Sequence, residues 1–138
     1  MKSVYDFIVK PIGERYANVK KINDKNLILN TKIENWKFVN RFAEVVSTPL
    51  ALPTPVRIGD IVVLHQNVFR RFYNMKGKQV NSRSHFKDDL YFASVDQLYL
   101  YKRKKYWESL NDRCFIMPIK NNNTLSNQKE TNNIGILK

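Results

Sequence analysis

The stretch from Arg41 to Tyr101 leaves this chain few folds to choose from. It carries three apolar runs in a fixed order: Phe42-Ala-Glu-Val-Val-Ser, then Val56-Arg-Ile-Gly-Asp-Ile-Val-Val-Leu-His, then Asp89-Leu-Tyr-Phe-Ala-Ser-Val-Asp-Gln-Leu-Tyr-Leu-Tyr. They are rich in β-branched and aromatic residues, and turns with Pro, Gly and Asn lie among them. In the middle run a Gly59-Asp60 turn delivers the chain into Ile61 to His65, nearly all apolar, which predicts a strand buried on both faces. Short strands between turn residues argue for an all-β sandwich or barrel. Barrel closure would also hide the strand edges. No segment has a helical period; the nearest approach is a single turn over Tyr106 to Leu110.

The flanks extend the pattern. Val4 to Pro11 predicts a first strand ended by proline, which cannot donate to a ladder. Gly13 to Asn26 is polar and basic, and predicts a long loop. Leu27-Ile-Leu follows as an apolar island, and Thr31 to Asn40 holds Trp36, Phe38 and Val39 and has the makings of another strand. Prolines at 49, 53 and 55 stiffen the next connection. Val68 to Val80 alternates aromatics with cations around a Lys76-Gly-Lys hairpin turn. Asn81 to Asp89 is a polar connection, and Ser94-Val-Asp-Gln divides two apolar pieces. Beyond Tyr101 comes the basic linker Lys102-Arg-Lys-Lys. In the tail, Cys114-Phe-Ile-Met-Pro-Ile repeats the pattern of Phe7-Ile-Val-Lys-Pro-Ile. An Asn-rich stretch and the island Ile134-Gly-Ile-Leu follow it. The tail reads as the start of a second copy of the first unit, or as a chance match of two short apolar runs.

Composition narrows the class. The chain has 138 residues and is 43% hydrophobic, enough for one domain with a core and room for an appendage. No apolar run is long enough for a transmembrane helix, and the N-terminus lacks the apolar stretch of a secretory signal. The single cysteine, Cys114, has no internal disulfide partner, which fits a reducing, cytoplasmic setting. The net charge of +12 fits a nucleic-acid partner, an acidic protein surface, or a solvated basic exterior.

Three constellations bear on function. Catalysis has little to build on. His65 ends an apolar strand, His85 lies in a polar loop, and Asp88-Asp89 reads as a solvated pair. No zinc-like ligand set, nucleophile elbow or phosphate-binding glycine loop is present, so neither enzyme activity nor a cofactor is expected. Phe69-Arg-Arg-Phe-Tyr-Asn-Met-Lys-Gly-Lys sets aromatics beside cations, as a base-stacking surface would, although strand alternation also sends aromatics inward and cations outward. The third is an apolar tip on a polar arm, at Leu27, Ile28 and Leu29 and again at Ile134, Ile136 and Leu137. Such tips in water call for a destination, unless Leu27-Ile-Leu is one more core strand.

The residues resemble the small co-chaperonins of the GroES type. Phe7-Ile-Val-Lys is similar to that family's first strand and Leu27-Ile-Leu to its mobile-loop tripeptide. Phe42-Ala-Glu-Val-Val resembles its Gly-Glu-Val strand, Val56-Arg-Ile-Gly-Asp-Ile-Val-Val its Val-Lys-Val-Gly-Asp-Ile-Val, and Tyr91-Phe-Ala-Ser-Val-Asp-Gln-Leu its closing segment. The order agrees over residues 4 to 101. The short Pro49 to Pro55 connection resembles phage members that lack the family's roof hairpin. The tail resembles a second opening: Leu110-Asn-Asp-Arg-Cys-Phe-Ile-Met is similar to Leu-His-Asp-Arg-Val, and Ile134-Gly-Ile-Leu to Gly-Ile-Val-Leu.

The resemblance implies an all-β, GroES-like small barrel over 1–101 and a basic linker plus partial second repeat over 102–138. It implies a non-enzymatic lid, encoded by a phage and acting in the host cytoplasm. Such a lid is a homo-oligomeric ring whose apolar loop tips dock on a large, ATP-bound GroEL-type chaperonin and enclose an unfolded client protein. The tips would be Leu27, Ile28 and Leu29, or Ile134, Ile136 and Leu137; Gly59 and Asp60 would be structural. A basic β-barrel that binds nucleic acid is the alternative, and a structural barrel in a larger assembly a third.

Overall fold

The structure, a computed structural model, describes residues 1–17, 19–23, 25–28, 35–118 and 135–137. Its strands are β1 (Phe7–Pro11), β2 (Val19–Ile22), β3 (Lys25–Ile28), β4 (Phe42–Ser47), β5 (Ile61–Leu64), β6 (Arg71–Tyr73), β7 (Gln79–Asn81), β8 (His85–Lys87), β9 (Leu90–Ala93), β10 (Leu98–Arg103), β11 (Tyr106–Ser109), β12 (Ile116–Pro118) and β13 (Gly135–Leu137). Two short 3-10 turns, Trp36–Phe38 and Val95–Gln97, complete the regular structure, with no α-helix among the described residues. The chain is all-β.

Seven strands form one antiparallel sheet in the order β11-β10-β5-β4-β1-β9-β8. The first strand of the chain therefore lies inside the sheet, between β4 and β9. Alternation explains the core. Ala43 and Val45 on β4, Val62 and Leu64 on β5, Tyr91 and Ala93 on β9 all point inward and are buried. A bulge at Ile8/Val9 re-aims β1, so that Phe7, Ile8 and Val9 are all buried. Ile61 and Val63 are only half-buried, so β5 buries one face and not two. Its outer face carries apolar residues that still meet solvent.

The sheet does not close on itself. The outermost strands, β11 and β8, are hydrogen-bonded on one side only, so the expected barrel is an open seven-stranded sheet. Both end strands are short and half polar, which gives each little apolar surface to bury by closing. Connections cover the core instead. Val56, Val68, Phe69 and the Tyr16–Val39 bridge seal its open side. Polar links pin this cover: the Ser82 hydroxyl donates to the Val68 carbonyl at 2.6 Å, and the Arg71 N–H donates to the Tyr16 hydroxyl at 2.6 Å.

Several local expectations are corrected. Residues Gly13 to Asn26 are not all loop. Val19–Ile22 and Lys25–Ile28 pair as a hairpin across a connection at positions 23–24, where Asn23 takes φ +46°. The Trp36-Phe38 segment is a 3-10 turn rather than a strand, because the Asn35 side chain accepts from the Lys37 N–H and starts the turn. Tyr106 to Ser109 is a strand and not a helical turn; it pairs with β10 from Leu100 to Arg103, so the sheet runs on past Tyr101. The polar connection after Asn81 contains β8. The Ser94-Val-Asp-Gln turn is present, with the Gln97 side-chain oxygen accepting the Ser94 N–H.

Candidate functional site

Two small strand pairs share no ladder with the seven-stranded sheet among the described residues, and both carry sequence-derived tip residues. In the first, β2 and β3, backbone register sets Leu27 opposite Lys20 and Ile28 opposite Val19. The apolar pair thus sits on a strand, not at the tip of the turn. Leu29 lies outside the described residues, as does Ile134. Ile22, beside the turn, is exposed.

The second hairpin joins β12 to β13, with Ile116 opposite Leu137 and Met117 opposite Ile136. Its side chains meet water: Ile116 is 63% exposed, Ile136 53% and Leu137 70%. Phe115 and Met117 are also exposed. None of these five belongs to the core cluster. Pro118 and Gly135 face each other across the ladder. The sequence marks 114–119 as a strand, but its exposure is a tertiary fact that no local signal carries.

The Phe69 to Lys78 constellation folds as the hairpin β6–β7, with Gly77 at φ +72° in its turn. Its aromatics do not share a surface. Phe69 is fully buried, its ring edge-on to Tyr91 at 4.9 Å. Phe72 is half-buried under the Arg70 guanidinium, 5.0 Å from the ring. Lys76 and Lys78 sit in an exposed turn whose N–H groups both donate to the Asn74 side-chain oxygen. The hairpin offers cations without a row of rings.

The groups suited to acid–base chemistry are dispersed. His65 uses Nδ1 to accept the Asn67 N–H, and His85 uses Nε2 to donate to the Asp88 carbonyl. No cluster of three or more His, Cys, Asp or Glu that could hold a metal occurs among the described residues. A cleft of about 420 Å³ lies between Gly13 and Arg71, lined also by Glu14, Arg15, Tyr16 and Asp89. Arg15 is committed there to structure. Its guanidinium donates twice to the Phe69 carbonyl and once to the Asn81 side chain, and lies 5.1 Å from the Tyr91 ring centre. Burial lowers the Arg15 pKa and raises that of the Tyr91 hydroxyl, without changing the charge of either near neutrality.

The predicted structural role of Gly59 and Asp60 has a clear geometry. Gly59 takes φ +87° and donates its N–H to the Val45 carbonyl, while the Asp60 carbonyl accepts the Val45 N–H. The buried Asp60 carboxylate accepts from the Arg57 N–H at 2.9 Å and from Arg103 Nη2 at 2.8 Å. Arg103 also donates to the Pro55 carbonyl. Burial opposes the Asp60 charge, yet the Arg103 and Arg57 hydrogen bonds and charges outweigh it and hold the carboxyl below its usual range.

No described helix is long and apolar enough to cross a membrane. Comparison with protein-family models, with curated proteins and with solved structures found no match in any of the three.

Proposed function

We propose that this chain is a lid subunit of the co-chaperonin kind, docking through its β12–β13 arm on a large ATP-driven chaperonin ring. The observation that carries the reading is the hairpin of exposed apolar side chains, Ile116, Met117, Ile136 and Leu137, standing outside the core. Burying each such side chain is worth roughly 1.5–3 kcal/mol. Ordering flanking chain costs about 1–2 kcal/mol per residue. One arm is then a weak ligand. Several arms on one ring bind well, because every later contact is intramolecular.

On this reading the open sheet is the wall of a GroES-like small barrel, and the tail begins a second such unit. The unpaired edges of β8 and β11 are where neighbouring copies join head to tail into a ring. Leu27 and Ile28 on the first arm are the second candidate contact. ATP is bound and hydrolysed by the partner, an unfolded client is enclosed, and this chain performs no catalysis and needs no cofactor. The setting is the host cytoplasm.

The test is ATP-dependent co-migration with a GroEL-type ring on a sizing column. Ile136→Ser with Leu137→Ser is expected to abolish it while the sheet stays folded by circular dichroism. Leu27→Ser with Ile28→Ser reports the first arm separately. Co-migration that survives both double substitutions removes the proposed contacts.

A further inference from the structure

The outer face of the sheet holds a second feature. Trp36 and Phe42 are about half exposed, at 49% and 48%. Trp36 and Phe42 line one open groove of about 740 Å³ with Phe38, Lys37 and Arg41. Beyond Phe42 the row continues to Trp107 on β11, whose ring centre is 6.2 Å from that of Phe42. Cations are held against these rings. Lys37 and Arg41 lie 5.9 and 5.4 Å from the Trp36 ring centre, and Lys102, the cross-strand neighbour of Trp107, lies 5.7 Å from that ring. Two of the nearby carboxylates are engaged: Glu44 by Lys10 at 3.1 Å, and Glu108 by the Tyr101 hydroxyl. Glu14 lies on the groove wall.

We infer that the Trp36–Phe42–Trp107 row is a binding track for single-stranded nucleic acid. Partly exposed rings such as Trp36 and Phe42, with the half-buried Trp107 beside them, stack unpaired bases, and the cations resting on the tryptophans contact the phosphates. The charge complements a polyanion, in a chain of net charge +12. An acidic peptide would satisfy Lys37, Arg41 and Lys102 but would give the rings nothing to stack on. A duplex keeps its bases stacked internally and out of reach. The sequence pointed to the β6–β7 hairpin for this chemistry; the fold assembles it instead from a 3-10 turn and the strands β4, β10 and β11.

The inference is independent of the lid reading and is tested on the intact chain with an oligothymidylate of about a dozen nucleotides. The chain has two tryptophans, and both are in this row, so tryptophan emission reports the track directly. Binding is expected to quench that emission, and log K is expected to fall with log salt at a slope of about −2 for three phosphate contacts. Arg41→Glu with Lys102→Glu should weaken binding at least about tenfold, and Phe42→Ala about tenfold. The Ile136→Ser, Leu137→Ser chain should bind as the parent does. If Phe42→Ala unfolds the sheet, the surface charge variant decides. The inference is overturned by no binding at low salt, by unchanged binding of the charge variant, or by polyglutamate binding as tightly as oligothymidylate. The last result would assign the face to an acidic protein.

Discussion

Asp60 and Arg103 show how one residue can hold a connection to a strand. The carboxylate closes the turn before β5 by accepting the Arg57 N–H, and Arg103 reaches from β10 to bind both that carboxylate and the Pro55 carbonyl. Asp60→Asn keeps the shape and loses the charge, and is expected to cost about 1.5–3 kcal/mol by chemical denaturation. The linkage has a definite sign. A carboxyl whose folded pKa is depressed stabilises the fold above its unfolded pKa, and that contribution fades as pH falls through the folded value. The parent should therefore lose stability on acidification more steeply than Asp60→Asn. Equal acid slopes would show that the charge does not matter. Lys104 makes the opposite case. It opens the turn between β10 and β11 at φ +59°, a left-handed conformation that suits Asn better than Lys. Lys104→Asn is expected to raise stability by about 0.5 kcal/mol, read from the denaturation midpoint. Gly59-Asp60 was legible in the sequence as a turn. Its Arg103 partner was not, because a partner 43 positions away leaves no local trace.

At the scale of elements, what was legible is what buries apolar surface. β4 runs from Phe42 to Ser47 as the sequence predicts, β5 and β9 fall within the predicted runs, and β10 starts within its run but continues past Tyr101 to Arg103. What was missed is held by pairing rather than by its own pattern. Lys25-Asn-Leu-Ile has a strand's geometry through β2, and the Asn23 turn that joins them lacks the glycine that flags most hairpins. Tyr106-Trp-Glu-Ser is too short for a period to decide, and β10 decides it. The tail hairpin was half legible: its apolar run is plain in the sequence, its exposure is not. Since among the described residues β12 and β13 pair with each other and with no other strand, their side chains should matter little to global stability. Ile116→Thr with Leu137→Thr is expected to shift the unfolding free energy by no more than about 0.5 kcal/mol. A loss of several kcal/mol would mean that the hairpin packs on the sheet, and would remove the arm from consideration as a free docking element.

Across the whole molecule, the row of aromatics and cations and the apolar arm are products of assembly. Trp36, Phe42 and Trp107 are scattered over 71 positions of sequence and are aligned only by the 3-10 turn and the β11 edge. Among the described residues β8 and β11 end the open sheet, and these edges are where the proposed contact between neighbouring copies would be made. The placement of β1 has a kinetic consequence. Val9 pairs with Val45 on one side and with Tyr91, more than eighty positions later, on the other. During translation the opening strand emerges early but acquires its second neighbour only when most of the domain has left the ribosome. Such long-range pairing slows folding, and a nascent chain stalled before Tyr91 would display Phe7, Ile8 and Val9 on an unfinished edge, ready to misassemble.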